Sequence, residues 1–327
     1  MKILVTGANG LLGANVVREL ESRGKEVRVL VRPSAGLTAL AGTGAEAVHG
    51  DILDRQSLAR AMKGCDTVIH AAANTSQWPV RYSFYEPVNV RGTQNVMEVC
   101  RESGISRIVY VSTANTFGPG TKEHPGTELS EFSGFRVGSG YMISKYVAQQ
   151  NVLMEVEKHQ TPVVIVNPAF MIGPYDAKPS SGKIILMGLN KKMQGYPTGG
   201  KNFIHVRDAA VGVCNAMDRG RTGGCYLLAN ENLTYGEFYE KLNRVARQHP
   251  VKVKLPSAAI LAAGWFGTFM EKAVKKAAPL NHVNAKLLTI GNYYSGNKAV
   301  RELGLPLTPV ETAIEEALSW FRKTSMI

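Results

Sequence analysis

Short apolar runs alternate with amphipathic stretches through the first half of the chain. Lys2–Thr6 is an apolar run ending in a glycine-rich turn. Leu11–Arg23 follows with apolar positions recurring every three or four residues, and Gly24 suits the left-handed cap of that helix. Glu26–Val31 and Ala45–His49 predict two more strands. Asp54 predicts the N-cap of a helix through Lys63, closed by Gly64. Thr67–Ala72 predicts a fourth strand, Val88–Glu102 a helix leaving at Gly104, and Arg107–Ser112 a fifth strand. Tyr141–Lys158 is a long helical stretch, and Val163–Asn167 a sixth strand stopped by Pro168. Strands alternating with helices imply an α/β chain with a parallel sheet covered on both faces.

After about residue 170 the rhythm breaks. Pro174, Pro179 and Gly182 mark loops. Helical pieces are expected near 182–193, 207–219 and 234–248, with short strands near 202–205 and 225–229. Thr308-Pro309-Val310-Glu311 has the form of a capping box, and the helix after it would bury Ile314, Ala317, Leu318 and Phe321. The expected organisation is a nucleotide-binding part over 1–170 and a smaller substrate-covering part over 171–327. The second part would be interleaved with the first, with some of its segments returning to the sheet.

Composition adds little to this. The chain has 327 residues, 44% hydrophobic and 20% charged, which excludes disordered, collagen-like and disulfide-framework classes. Its longest apolar stretch, Ala258–Met270, covers 13 residues and falls short of the ~20 that a membrane span needs. The N-terminus reads as a strand and a turn, without the cleavage site of a signal peptide. Cys65, Cys100, Cys214 and Cys225 lack metal-type spacing, so a reduced, cytoplasmic setting without a metal site is expected. Charge is more informative. The net charge is +12, and residues 241–286 hold nine Lys/Arg against Glu271 alone. Such a segment is either a solvated basic face or a contact for nucleic acid, anionic lipid, an acidic carrier protein or an anionic substrate. Nucleic acid is not expected as a partner.

The first chemistry-bearing motif is Gly7-Ala8-Asn9-Gly10-Leu11-Leu12-Gly13, lying between a predicted strand and a predicted helix. Glycines there permit a tight turn and close approach of backbone to a pyrophosphate, with the helix N-terminus offering free N–H groups. The pattern predicts dinucleotide binding by a Rossmann-type, doubly wound sheet. An acid about 20 residues on would hold the adenosine ribose hydroxyls of NAD(H). The second strand instead ends in Arg32, 19 residues after Gly13. A guanidinium pairs with a 2′-phosphate, so NADP(H) is expected and NAD(H) is the alternative.

Tyr141 and Lys145 lie four residues apart, on one face of a helix. A neighbouring ammonium should favour the phenolate and bring the tyrosine toward acid–base service near neutrality. Tyr294…Lys298 repeats the spacing in a Gly/Asn-rich stretch far from the glycine turn and reads as structural. A third member is expected at the C-terminal end of the fifth strand, where open α/β sheets place their chemistry. Ser112 and Thr113 both stand there, 29 and 28 residues before Tyr141.

In this order the motifs closely resemble the extended short-chain dehydrogenases/reductases, over nearly the whole chain. They are the glycine turn, Gly50-Asp51-Ile52, His70-Ala71-Ala72, Asn89, Ser112-Thr113-Ala114, Tyr141…Lys145 and Asn167-Pro168…Gly173-Pro174. The resemblance implies a catalytic set of Thr113, Tyr141 and Lys145, with Ser112 the competing hydroxyl. It implies cofactor contacts from Gly7, Asn9, Gly10, Leu11, Leu12, Gly13, Arg32, Asp51, Ile52, Ala71, Ala72, Ala73, Asn89, Ser112, Tyr141, Lys145, Asn167, Pro168 and Phe170. Family members often dimerise through two long helices, here Val88–Glu102 and Tyr141–Lys158.

Sugar-nucleotide epimerases usually carry an Arg before the sixth-strand Asn, and the stretch Val163–Pro168 has none. Its Asn167-Pro168 pair is similar to dihydroflavonol 4-reductases, cinnamoyl-CoA reductases and 3β-hydroxysteroid dehydrogenase-like proteins. A usual leading Arg-Asp is replaced by Lys201-Asn202. The reading implied is an NADPH-dependent reductase of a ketone or aldehyde, reversible as an alcohol dehydrogenase. An epimerase or dehydratase that retains its cofactor is the runner-up, and an NADP-sensing regulator the remote alternative. Trp78, Asn115, Phe117, Met171 and Tyr196 are expected to line the substrate site.

Overall fold

The computed structural model describes residues 1–76 and 78–327. The first half builds β1 (Lys2–Thr6), α1 (Leu11–Ser22), β2 (Glu26–Val31), β3 (Glu46–His49), α2 (Arg55–Met62), β4 (Thr67–His70), α3 (Thr93–Glu102), β5 (Arg107–Val111), α4 (Gly140–His159) and β6 (Val163–Pro168). The second half adds β7 (Phe170–Ile172), α5 (Lys183–Gly188), β8 (Met193–Tyr196), β9 (Gly200–His205), α6 (Val206–Arg219), β10 (Cys225–Leu228), β11 (Glu231–Thr234), α7 (Tyr235–Ala246) and β12 (Val251–Lys254). It ends with α8 (Ser257–Val274), α9 (His282–Thr289), β13 (Gly291–Asn292), α10 (Asn297–Leu303) and α11 (Val310–Lys323).

Seven strands form the main sheet in the order β10-β6-β5-β4-β1-β2-β3, and all their pairings are parallel. Strand alternation divides the apolar residues between the two faces. Ile3, Val5, Val109, Val164 and Val166 pack against Leu12, Val16 and Leu20 of α1 and Val213 and Met217 of α6. Leu4, Val68, Ile108, Val163 and Ile165 pack against Leu58 of α2, Val96 of α3 and Val152 of α4. Burial on both faces explains why these strands read as continuous apolar runs. β10 and α6 come from the second half of the chain, yet one extends this sheet and the other covers it.

The remaining strands form two small sheets. β7, β11 and β13 all pair with β9, and β12 pairs with β8. Phe203, Phe238, Leu242, Ile314 and Phe321 fill the core between β9, α7 and α11.

Several expectations change. The helix expected over 182–193 ends at Gly188, and Met193–Tyr196 is a strand held by Val251–Lys254. The stretch Val88–Glu102 begins as a π-helical turn, Pro87–Gly92. Thr308 forms no capping box. Its N–H and hydroxyl bind Asp208 of α6 at 2.6 and 2.8 Å, and Glu311 pairs with Lys241. Pro309 occupies the N-cap of α11 and puts Thr308 one residue too early to cap it. The capping box lies instead at Thr234 and Glu237, before α7.

Candidate functional site

The glycine turn joins β1 to α1 as the spacing requires. Gly7 sits at φ +71°, and a Cβ there would lie 2.5 Å from the Ala72 nitrogen at the end of β4. A Cβ on Gly13 would lie 2.2 Å from the Gly7 carbonyl oxygen. Gly10 caps α1 without a side-chain bond, so the first-turn N–H groups carry no capping side chain. A small-residue cradle ending in open helix N–H groups fits a pyrophosphate. Asn9 reaches the Gly36 carbonyl at 3.4 Å, Leu12 is buried, and Leu11 packs against the core. Arg32 is exposed at the end of β2, with no side-chain bond or ion pair among the described residues. Asp51 accepts the Leu53 N–H at 2.9 Å, and Ile52 is buried beside it.

Tyr141 stands in the first turn of α4, fixed in place by Ser139, whose hydroxyl accepts the Met142 N–H. Burial pushes the Tyr141 phenol up, and the nearby Thr113 hydroxyl partly offsets that. Of the two competing hydroxyls, Thr113 therefore meets the tyrosine. The Ser112 hydroxyl is buried and has no partner at hydrogen-bond geometry.

Lys145 finds its direct hydrogen-bond partners on β5 rather than at Tyr141. Its ammonium donates to the Val111 carbonyl at 2.9 Å and to the Tyr110 hydroxyl at 3.0 Å. It is only 2% exposed, and burial brings its pKa down to about 7. Desolvation outweighs the helix-face proximity that the spacing suggests.

Around this pair lies a buried polar network that the sequence did not reveal. His70 bonds Thr6 at 2.7 Å and Thr93 at 3.1 Å, and burial holds its pKa at about 3. Thr93 donates to the Asn89 carbonyl, which leaves its oxygen to accept from His70. The imidazole is therefore neutral and protonated on Nε2, and it accepts from Thr6 on Nδ1. Thr6 also accepts the Ala72 N–H at 3.3 Å, which ties the glycine turn to this network.

Asn89 donates to the Asn74 carbonyl and the Ser144 hydroxyl and accepts the Asn74 N–H. Both its N–H groups are thus engaged within the protein, where they set α4 beside the sheet. Asn167 acts similarly, donating to the Thr113 carbonyl, Thr116 and Gln149 at 3.2, 3.0 and 2.7 Å. It fixes the backbone that presents Thr113.

A cleft opens from Thr113 past Asn115, Pro168 and Phe170 to Lys201, Asn202, Asn292 and Tyr294. Four of the five expected substrate residues lie elsewhere. Phe117 and Tyr294 pack in a common core, Met171 packs against the sheet, and Tyr196 joins the core around Phe203. Trp78 stands in the loop after β4, outside the cleft lining. Asn115 does line the cleft. Tyr294 and Lys298 are not a second pair, since Lys298 donates to the Cys225 carbonyl at 2.8 Å and the Tyr294 hydroxyl to the Phe117 carbonyl. Lys201 was legible only as a departure from a motif. Its ammonium lies 5.0 Å from the Phe170 ring centroid, with no ion pair or hydrogen bond among the described residues. Burial brings it down to about 8.

Known proteins share this fold. Residues 3–229 match the family model described as NAD dependent epimerase/dehydratase family. The chain is 32% identical to sterol demethylase protein B of Methylococcus capsulatus, over the full length of both. It is 33% identical to a putative dihydroflavonol 4-reductase of Synechocystis sp., over 97% of this chain and 94% of that protein. The crystal structure of gox2253 superposes with a TM-score of 0.87 at 32% identity, covering 99% of each chain.

Proposed function

The chain belongs to the NAD dependent epimerase/dehydratase family, whose members depend on a nicotinamide cofactor, and within it we propose an NADP(H)-dependent reductase of a ketone or aldehyde, reversible as an alcohol dehydrogenase. The observation that carries this reading is the Thr113 hydroxyl, which lines the cleft and also acts on the buried Tyr141 phenol, where it offsets part of the burial effect. A carbonyl oxygen placed between them receives two O–H donors where negative charge develops. Tyr141 delivers its proton to the nascent alkoxide, and Thr113 holds the same oxygen. A bound nicotinamide would supply a hydride for the carbonyl carbon, and together with the tyrosine proton this would convert C=O to CH–OH. Lys145 is held by Val111 and Tyr110 next to the tyrosine and steadies its anion. The glycine turn would hold the pyrophosphate, and Arg32 the adenosine 2′-phosphate.

The name of one relative, dihydroflavonol 4-reductase, is that of a carbonyl reductase, and that of another points to a sterol. Both support an apolar carbonyl or carbinol substrate. The unpaired Lys201 adds a feature to that substrate. A carboxylate a few bonds from the carbonyl, as in a 3-oxo acid, would meet the ammonium while the carbonyl meets Thr113 at the other end of the cleft. The same cation gives the second reading its support, because an epimerase or dehydratase could set a nucleotide-sugar diphosphate against it.

The two readings separate in one experiment. Purified protein is mixed with NADPH and either a 3-oxo acid or its neutral methyl ketone, and absorbance at 340 nm is followed. The reductase reading expects NADPH consumption, with a lower KM for the acid that Lys201→Met removes. Tightly retained cofactor with no net absorbance change, and turnover of nucleotide sugars, would establish the second reading instead.

A further inference from the structure

The segment α8–α9 takes no part in the site just described. α8 exposes three large aromatic side chains: Trp265, whose ring packs on His282 at 4.2 Å between centroids, is 62% exposed, Phe266 67% and Phe269 67%. Met270 and Val274 continue the same exposed surface, at 38% and 52%. A groove of about 460 Å³ opens beside them, lined by Phe266, Met270, Val274, Ala278, Pro279 and Leu280. The opposite side of α8 is where Ile260, Gly264 and Gly267 are buried. Gly267 lets the helix close on its own return loop, since a Cβ there would lie 1.8 Å from the Leu280 carbonyl oxygen.

Charge indicates what would cover the aromatic face. Lys272, Lys275 and Lys276 are exposed at its end, and none has an ion pair among the described residues. The neighbouring acid, Glu271, is engaged by the Ala278 N–H at 3.1 Å. Elsewhere in the basic segment three cations are paired, while Arg247 and Lys254 have no ion pair among the described residues. Lys241 and Arg244 meet Glu311, and Lys252 meets Glu240. Three unpaired lysines thus stand together at the end of the helix that exposes the aromatics. Aromatic residues beside unpaired lysines are the composition of a helix that lies in a bilayer interface. No helix among the described residues is long and apolar enough to cross a membrane, so α8 can lie on a bilayer but not span it.

We propose that the exposed face of α8 docks the protein on an anionic lipid surface. The hairpin is joined to the cleft. Ser257 bonds Thr198 at 2.7 Å, the Gly199 N–H donates to the Leu288 carbonyl at 3.1 Å, and β13 pairs with β9 at Gly200 and Lys201. Lys286 donates to the Arg136 carbonyl at 2.5 Å, in the turn that leads into α4 and Tyr141. Docking therefore connects the bilayer to the walls of the cleft, which suits an apolar substrate drawn from lipid.

The test requires no turnover. The full chain is sedimented with vesicles of phosphatidylglycerol and phosphatidylcholine, or of phosphatidylcholine alone, at low and high salt. Expected are binding to the anionic vesicles at low salt and a blue shift of tryptophan emission. High salt should release the protein, as should replacement of the three lysines by glutamine. Phe266→Ser with Phe269→Ser should weaken binding about tenfold or more, since two apolar anchors are lost. Circular dichroism and cofactor binding should remain those of the parent. Absence of binding at low salt would overturn the proposal. So would binding indifferent to the two phenylalanines, which would indicate a plain basic patch. A dimer in light scattering that the same two substitutions dissolve would assign the face to a second copy of the chain.

Discussion

At the residue scale the account rests on Tyr141. Tyr141→Phe removes the proton donor but none of the packing, so kcat should fall by about two to four orders of magnitude. Cofactor binding and melting temperature should hardly change, and stopped-flow kinetics with calorimetry would check both. Thr113→Val should cost more activity than Ser112→Ala, because only the Thr113 hydroxyl meets the tyrosine. Lys145 makes a prediction about stability. Its folded pKa of about 7 lies well below the ordinary lysine value of 10.5. The unfolded chain thus binds more protons between those limits, and stability from this group rises with pH across the window. Thermal scans from pH 7 to 10 should show the parent gaining stability relative to Lys145→Met. The Tyr141–Lys145 pair was legible because its spacing is local to one helix. The ammonium's true partners were not, because Tyr110 and Val111 reach it only through the packing of α4 against β5. Lys201 escaped for the same reason, since its neighbour Phe170 comes from another strand.

At the element scale, strand, turn and cap chemistry made the cofactor half readable. Buried parallel strands appear as apolar runs, and glycines stand where a Cβ would strike backbone. Gly13→Ala should abolish cofactor binding or folding, measurable by titrating NADPH against protein fluorescence, because the added carbon meets the Gly7 carbonyl. The second half was less readable. Thr308 and Glu311 have the capping-box spelling, yet tertiary partners, Asp208 and Lys241, claim both. Asp208→Asn should therefore loosen the start of α11 by about 1–3 kcal/mol, the range for a hydrogen bond to a charged group, seen as a lower melting temperature. The expected aromatic substrate wall met the same ambiguity. Phe117, Met171 and Tyr196 are apolar enough for either a core or a cleft, and only the fold assigns them to the core.

At the scale of the molecule, a buried neutral histidine links the cofactor turn to the lysine. His70 has a folded pKa of about 3 against an ordinary 6.5, so the unfolded state binds more protons between the two. Stability from this group is lost as pH falls through that window, and melting temperature should drop steadily from pH 6.5 to pH 4. The central claim concerns cofactor and reaction together. The measurement that tests it most directly is the 340 nm assay run with NADPH and NADH on the parent, Arg32→Ser and Tyr141→Phe, with the 3-oxo acid and the methyl ketone as substrates. The account predicts that the parent consumes NADPH, that Arg32→Ser raises the KM for NADPH about tenfold or more while leaving NADH unchanged, and that Tyr141→Phe is inactive with either. Equal use of both cofactors by the parent and Arg32→Ser would contradict the assignment of Arg32. Full activity in Tyr141→Phe would contradict the mechanism itself.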